Sequence, residues 1–161
     1  MTYNDSNFLI ETIVPEGEVI ISRTDLKGII TYANETFADI SGYKVDELIG
    51  KPHNLLRHPD MPRVAFEHLW ETIQSGKMWQ GYVKNMRKDG GYYWVYAEVS
   101  GVYKDDVLVE YKSMRSPISK ETITKMQRRY DEMKLKNKDM IRVIRYIPFD
   151  EYVELDSLPN S

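Results

Sequence analysis

The chain of 161 residues contains no cysteine. Disulfides, thiolate metal sites, a cysteine nucleophile and a cysteinyl cofactor adduct are therefore excluded. A basic block is missing too: Lys and Arg number 22 against 25 Asp and Glu, a formal net charge of −3. Nucleic acid, which calls for a clustered positive face, is not an expected partner. No run of residues reaches the apolar length that spans a bilayer. Met1–Asn7 is polar and has neither the charged start nor the apolar run of a signal peptide. Direct membrane insertion is thus not expected, and the cytoplasm is the expected location. Also lacking are a glycine-rich phosphate loop ending in Lys and a nucleophile elbow, so an enzyme turning over a substrate is not expected. Aromatic side chains, by contrast, are plentiful: 12 Tyr, 3 Trp and 4 Phe. They either fill a core or wall a planar ligand.

The hydrophobic pattern divides the chain into a leader at 1–17, a domain at 18–117, an amphipathic helix at 118–140 and a tail at 141–161 that no pattern assigns. Val19–Ile21 opens a β-rich run, Asp25–Gly28 offers a turn, and Gly28–Asn34 reads as a second strand. Gly42, Gly50 and Pro52 then restrict the chain to short helical pieces. Met61–Ser75 is predicted as the one longer helix of the domain, with Phe66, Leu69, Trp70 and Ile73 on one stripe. Asp60 is expected to be its N-cap.

Three strands follow, at Trp79–Arg87, Tyr92–Gly101 and Val107–Ser116, with turns at Lys88–Gly91 and Lys104–Asp106. This order predicts an α+β domain with a mainly antiparallel five-stranded sheet. In the C-terminal helix, Ile123, Met126, Tyr130, Met133, Asn137 and Met140 recur at steps of three and four. Such a seam serves a coiled coil or packs the helix back on its own sheet.

Local sequence narrows the class. Tyr32-Ala33-Asn34-Glu35-Thr36-Phe37, Ser41-Gly42-Tyr43, Glu47-Leu48-Ile49-Gly50 and Lys88-Asp89-Gly90 before Tyr93-Trp94-Val95 resemble the two halves of PAS domains. Pro52-His53-Asn54-Leu55-Leu56-Arg57-His58-Pro59-Asp60-Met61-Pro62 and Trp79-Gln80-Gly81-Tyr82-Val83-Lys84-Asn85-Met86-Arg87-Lys88 are similar to the PAS domain of bacterial aerotaxis receptors. The resemblance covers about Ile21 to Ser116 and implies a PAS fold that holds FAD noncovalently, in preference to FMN. Aerotaxis receptors continue into membrane helices and a signalling coiled coil, which this sequence does not contain. The departure implies the sensor half of a split energy-taxis receptor. Its expected partner is a methyl-accepting membrane transducer acting in trans, which would recruit it to the inner face of the membrane. Homodimerisation through the domain or the C-terminal helix is a further expectation. Asn85 resembles an Asn that contacts the ring in flavin-binding light-sensing PAS domains, but those need a reactive Cys, which this sequence lacks, and their second ring-contacting Asn corresponds to about Val95; adduct photochemistry is therefore excluded.

The chemistry can be placed on residues. Strand alternation puts Asn85 on the inward face with Trp79 and Val83, where a buried amide requires a polar partner such as a flavin edge or nearby backbone. Arg57 and His58 precede the long helix, where a diphosphate could rest, with an adenine against His58 or His53. Asp60 either orders that loop or pairs with Arg57. Phe66, Trp70, Trp79 and Tyr93 could wall the ring or simply pack the core. Asn34 caps the next short helix or reaches the cofactor. Tyr111 and Arg115 share a face with Ser113, and an inward Arg115 would be a candidate sensor of flavin charge. Two readings compete with the flavin sensor. One is a haem-binding gas sensor using His53, His58 or His68, and the other a ligand-free dimerisation scaffold.

Overall fold

A computed structural model describes residues 10–136. The N-terminal stretch before residue 10, Asn137, Met140 and the tail at 141–161 lie outside the described residues. Five strands, β1 (Ile20–Thr24), β2 (Ile30–Ala33), β3 (Trp79–Met86), β4 (Tyr92–Lys104) and β5 (Val107–Ser116), form one sheet in the order β2-β1-β5-β4-β3. Each neighbouring pair is antiparallel. Between β2 and β3 come α1 (Glu35–Ser41), α2 (Val45–Leu48), a 3-10 turn at His53–Leu56 and α3 (Arg63–Gln74). After β5 runs α4 (Lys120–Lys136). This is the α+β architecture that the order of patterns predicts.

Turn chemistry fixes the register. Asp25 accepts from the amides of Lys27 and Ile29 through its Oδ1, and the turn closes at Gly28 with φ 86°. That local bond system competes with extended structure and reverses the chain. At the β4–β5 hairpin, Asp105 and Asp106 both take positive φ, 50° and 65°. Two consecutive left-handed residues make the turn whose twist matches the flanking strands, and Asp tolerates that region better than most side chains. Lys104 and Val107 consequently pair across it. Asn34 caps α1 by accepting from Phe37 N, and Gly42 ends that helix at φ 78°.

The long helix starts later than its expected bounds. Pro62 occupies the N-cap of α3, with no side-chain cap, and Asp60 is drawn elsewhere. A proline there loses nothing, because the first amides of a helix lack intrahelical acceptors. The stripe is present: Ile73 is fully buried, while Phe66, Leu69 and Trp70 stay only partly buried.

The sheet is covered on both faces. One face, bearing Ile20, Ser22, Trp79, Val83, Asn85, Val95, Ser113 and Arg115, turns toward the inserted helices. On the other, Lys84, Trp94 and the Tyr82 carbonyl meet α4, and Tyr96 packs on Tyr82. Trp94 stacks on Tyr130 with ring centroids 6.0 Å apart, and the Tyr130 hydroxyl donates to the Tyr82 carbonyl at 2.6 Å. Of the two uses open to the C-terminal seam, its described part packs on the sheet: Met126 and Tyr130 are buried. Residues 10–12 bond to the start of β4, through Thr12 N to Tyr92 O (2.8 Å) and Tyr92 N to Ile10 O (3.0 Å), and Val14 joins the core.

Gly81 gives the fold a sharp test. A Cβ built there would lie 2.5 Å from the buried ring of Trp79, two residues earlier on the same face of β3. Overpacking a fixed ring forces backbone or rotamer shifts, so Gly81→Ala should lose about 1–3 kcal/mol of stability, read as a lower urea midpoint with an unchanged slope.

Candidate functional site

Between the inward sheet face and the helical insertion lies a cavity of about 160 Å³. Its sheet wall carries Ser22, Thr24, Val83, Asn85, Val99, Tyr111, Ser113 and Arg115. The α3 stripe, Phe66, Leu69, Trp70 and Ile73, forms the facing wall. Gly28, Pro52, His53, Asn54 and Arg57 complete the rim with Lys27. All four stripe side chains border this hollow; Ile73 is fully buried at its inner end, while Phe66, Leu69 and Trp70 are only partly buried.

Arg115 is the dominant charge inside. It is 8% exposed, donates from Nε to Ser113 Oγ at 2.8 Å, and lines the cavity. With the Asn85 amide oriented to satisfy both neighbours, Nδ2 donates to the Leu56 carbonyl (3.2 Å) and Oδ1 accepts from Arg115 Nη1 (3.0 Å). Asn85 thus takes backbone as one partner and the guanidinium as the other. Among the described residues that line the cavity there is no Asp or Glu. Burial pulls the guanidinium below its ordinary value, and Tyr93 opposes that pull.

His53 packs its ring 5.8 Å from Phe37 and bonds through Nε2 to Ser22 Oγ at 3.2 Å. Burial first, and the Arg115 charge second, push it down to about 3. The ring is therefore neutral at physiological pH. At the mouth, the Arg57 guanidinium lies 3.8 Å over the Phe66 ring, and Arg57 bridges to Asn85 in the edge of β3. Trp70 meets Tyr111 edge-on at 5.7 Å and would touch a Cβ at Gly28 at 3.7 Å.

The structure brings His53, Arg57, Phe66, Trp70, Asn85, Tyr111 and Arg115 together around one space. The other residues singled out in the sequence stand apart from it. Asn34 spends its side chain on structure: Oδ1 accepts from Phe37 N and Ile21 N, and Nδ2 donates to Val19 O. Trp79 donates from Nε1 to His68 Nδ1 at 3.0 Å, so His68, though exposed, is an anchor for that indole. Tyr93 is fully buried opposite Asn85 in the β3–β4 register, and burial pushes its hydroxyl up to about 12.

His58 is buried, accepts from Asp60 N at its Nδ1 (3.0 Å), and meets the edge of Tyr92. Asp60 pairs with Lys84 (2.7 Å) and Lys134 (3.7 Å), and not with Arg57. Burial raises the Asp60 carboxyl, but Lys84, His58 and Lys134 outweigh it and hold the group below its usual range. Both residues lie toward the α4 side of the sheet.

Ser22, Thr24 and Leu69 line the cavity without having been singled out as site residues. Leu69 belongs to the recognised stripe. For Ser22 and Thr24 the signal was weak, because small hydroxyl side chains alternating in a strand read equally well as a solvated face.

Within this geometry the comparisons with known proteins fall into place. The family described as "PAS fold" matches residues 30–115, and the chain belongs to that family. It is 41% identical over 119 residues to the Aerotaxis receptor of Escherichia coli (strain K12), a match covering 74% of this chain and 24% of the relative. The Nitrogen fixation regulatory protein of Klebsiella pneumoniae is 33% identical over 112 residues, 69% of this chain and 23% of the relative. The chain thus spans about a quarter of the length of these relatives. Among solved structures, the PAS domain of a Colwellia psychrerythraea protein superposes with a TM-score of 0.54 at 27% identity, covering 63% of this chain and 87% of that one. A light-oxygen-voltage domain reaches 0.62 at 20% identity, over 70% and 87%. These likenesses define a PAS sensor domain of the aerotaxis-receptor type. No helix of the described residues is long and apolar enough to cross a membrane.

The depressed His53 gives a pH dependence with a definite sign. The unfolded chain takes up a proton below about 6.5, whereas the folded chain resists until about 3. Stability should therefore fall as pH drops through that window. His53→Gln should flatten the slope of urea-unfolding free energy against pH there by up to about 1.4 kcal/mol per unit.

Proposed function

We propose that this domain is a non-catalytic redox sensor that holds a flavin, as FAD, noncovalently in the cavity and reports its state to a separate membrane-bound transducer. The observation that carries the reading is Arg115, a buried guanidinium in a cavity whose described lining holds no carboxylate. Its bonds go to the neutral groups of Ser113 and Asn85. Buried charge is unfavourable unless something of opposite sign meets it. An electron-rich ligand edge with carbonyl and ring-nitrogen acceptors supplies that complement, and Asn85 offers a donor and an acceptor beside it.

The dimensions agree with this occupant in part. A cavity of about 150 Å³ encloses a single benzene, so the 160 Å³ found here takes one end of a tricyclic ring. The remainder requires Trp70 and Phe66, both only partly buried, to shift outward. Arg57 at the mouth has the planar fork that suits a phosphate, which favours a diphosphate-bearing flavin. With His58 turned to the far side, the adenine is left to His53 or the rim. The aerotaxis-receptor resemblance of residues 52–62 and 79–88 supports FAD and the taxis role.

When bound, a flavin supplies reversible electron uptake. The chain's own residues supply the readout. A unit of negative charge about 4 Å from Arg115 changes their interaction by about 4 kcal/mol at an effective dielectric near 20. Arg115 and Asn85, bonded to each other and to the Leu56 carbonyl, are the residues that would register such a charge. Redox state in this way biases two packings of one strand and one loop.

The absorption spectrum of purified protein decides the matter. Two broad bands, in the blue and near ultraviolet, should bleach with dithionite and return in air. Arg115→Met should weaken FAD retention by about 2 kcal/mol, roughly thirtyfold, measured by equilibrium dialysis. Protein that stays colourless after refolding with FAD would establish the ligand-free scaffold, and a single intense Soret band the haem sensor.

A further inference from the structure

The cavity is one-sided in charge. Arg115 stands inside it, and Lys27, Arg57 and Lys112 also line it, with no Asp or Glu among its described lining residues. It is divided in polarity too. Leu69, Ile73, Val83 and Val99 offer apolar wall, while the hydroxyls of Ser22, Thr24 and Ser113 accompany the guanidinium. That guanidinium is only partly used. Nε donates to Ser113 Oγ at 2.8 Å and Nη1 to Asn85 Oδ1 at 3.0 Å. The second proton of Nη1 and both protons of Nη2 meet no acceptor among the described residues. These protons form the end-on fork that a carboxylate accepts from in pairs.

A carbonyl edge answers a buried cation with partial charge; a carboxylate answers it with a full one. We infer that the cavity binds a small carboxylic acid with a compact apolar body, of the size of benzoate, whose carboxylate accepts from the Nη1–Nη2 edge of Arg115 while its body lies against the α3 wall. Size fixes the class. A cavity of about 150 Å³ encloses one benzene, so a single ring suits the 160 Å³ present, where a tricyclic ring needs Trp70 and Phe66 to move. Lys27, Arg57 and Lys112 add attraction, because a cleft lined by one sign of charge raises the local concentration of the other. The inference does not rest on the flavin reading. It adds a second ligand for the same space, so that acid and flavin exclude one another, and an abundant acid would hold the domain free of flavin.

Isothermal titration calorimetry of the flavin-free full chain with sodium benzoate tests this. Benzoate should bind at one site with a dissociation constant below about 1 mM. Benzamide, the same ring without the charge, and acetate, the same head without the ring, should each bind about tenfold or more weakly. Arg115→Met should weaken benzoate binding about tenfold or more. Absence of saturable benzoate binding, benzamide or acetate binding as tightly as benzoate, or undiminished binding by Arg115→Met would each overturn the inference. Where Arg115→Met does not fold, the benzamide comparison on the natural chain decides. In equilibrium dialysis with FAD, saturating benzoate should lower FAD retention; unchanged retention would place the acid outside the cavity and overturn the inference. A chain that binds benzoate in this pattern and never takes up FAD would overturn the flavin reading alone.

Discussion

Arg115 sits on the inward face of β5, where β1 and β4 flank it, and its charge is answered there by the Ser113 hydroxyl and the Asn85 carbonyl oxygen. Much of the domain follows from accommodating that cation. The strand face must carry small polar groups beside it, so Ser22, Ser113 and Asn85 replace the apolar side chains that a sealed core would use. The helix opposite cannot press its stripe fully onto such a surface, and a hollow results. His53, close to the same charge, is kept neutral. A guanidinium in this setting is poised to respond to any gain of negative charge nearby, because the surrounding medium screens it poorly.

The two faces of β3 divide the labour. Val83 and Asn85 belong to the cavity, while Lys84 belongs to the ionic group under α4. Successive side chains of a strand are close in sequence yet open onto opposite compartments. The 56–60 loop straddles the same edge, with Arg57 at the cavity mouth and Asp60 on the far side. One strand edge and one loop thus carry side chains that face both compartments.

Much of the fold was legible in the residues. The α3 stripe, the hairpin turns and the five strands all rest on short-range rules of periodicity and turn chemistry, and those rules apply before any tertiary contact forms. The inward placement of Asn85 and Arg115 was legible for the same reason, since alternation fixes which side chains share a face. The loop 57–60 was not. Arg57, His58 and Asp60 are adjacent, and as a polar cluster before a helix they look like one anchoring site. In the structure an irregular backbone sends Arg57 one way and the other two the opposite way, and no periodicity governs such a segment. Asn34 was ambiguous for a different reason: capping and ligand contact ask for the same amide, and only the positions of Ile21 and Val19 decide between them.

The sequence by itself determined that this chain has no thiol chemistry, forms a sheet with helices inserted between its second and third strands, and turns an amide and a guanidinium inward. Those properties depend on composition and on near neighbours along the chain. Only the tertiary structure decided that Arg115 finds no carboxylate among the described residues lining its cavity, that Asp60 serves α4 instead of Arg57, and that the seam of Met126 and Tyr130 is used up on the sheet. Each of these joins residues distant in sequence, and which of several chemically suitable partners a charge or an aromatic face meets is set by packing geometry, not by residue type.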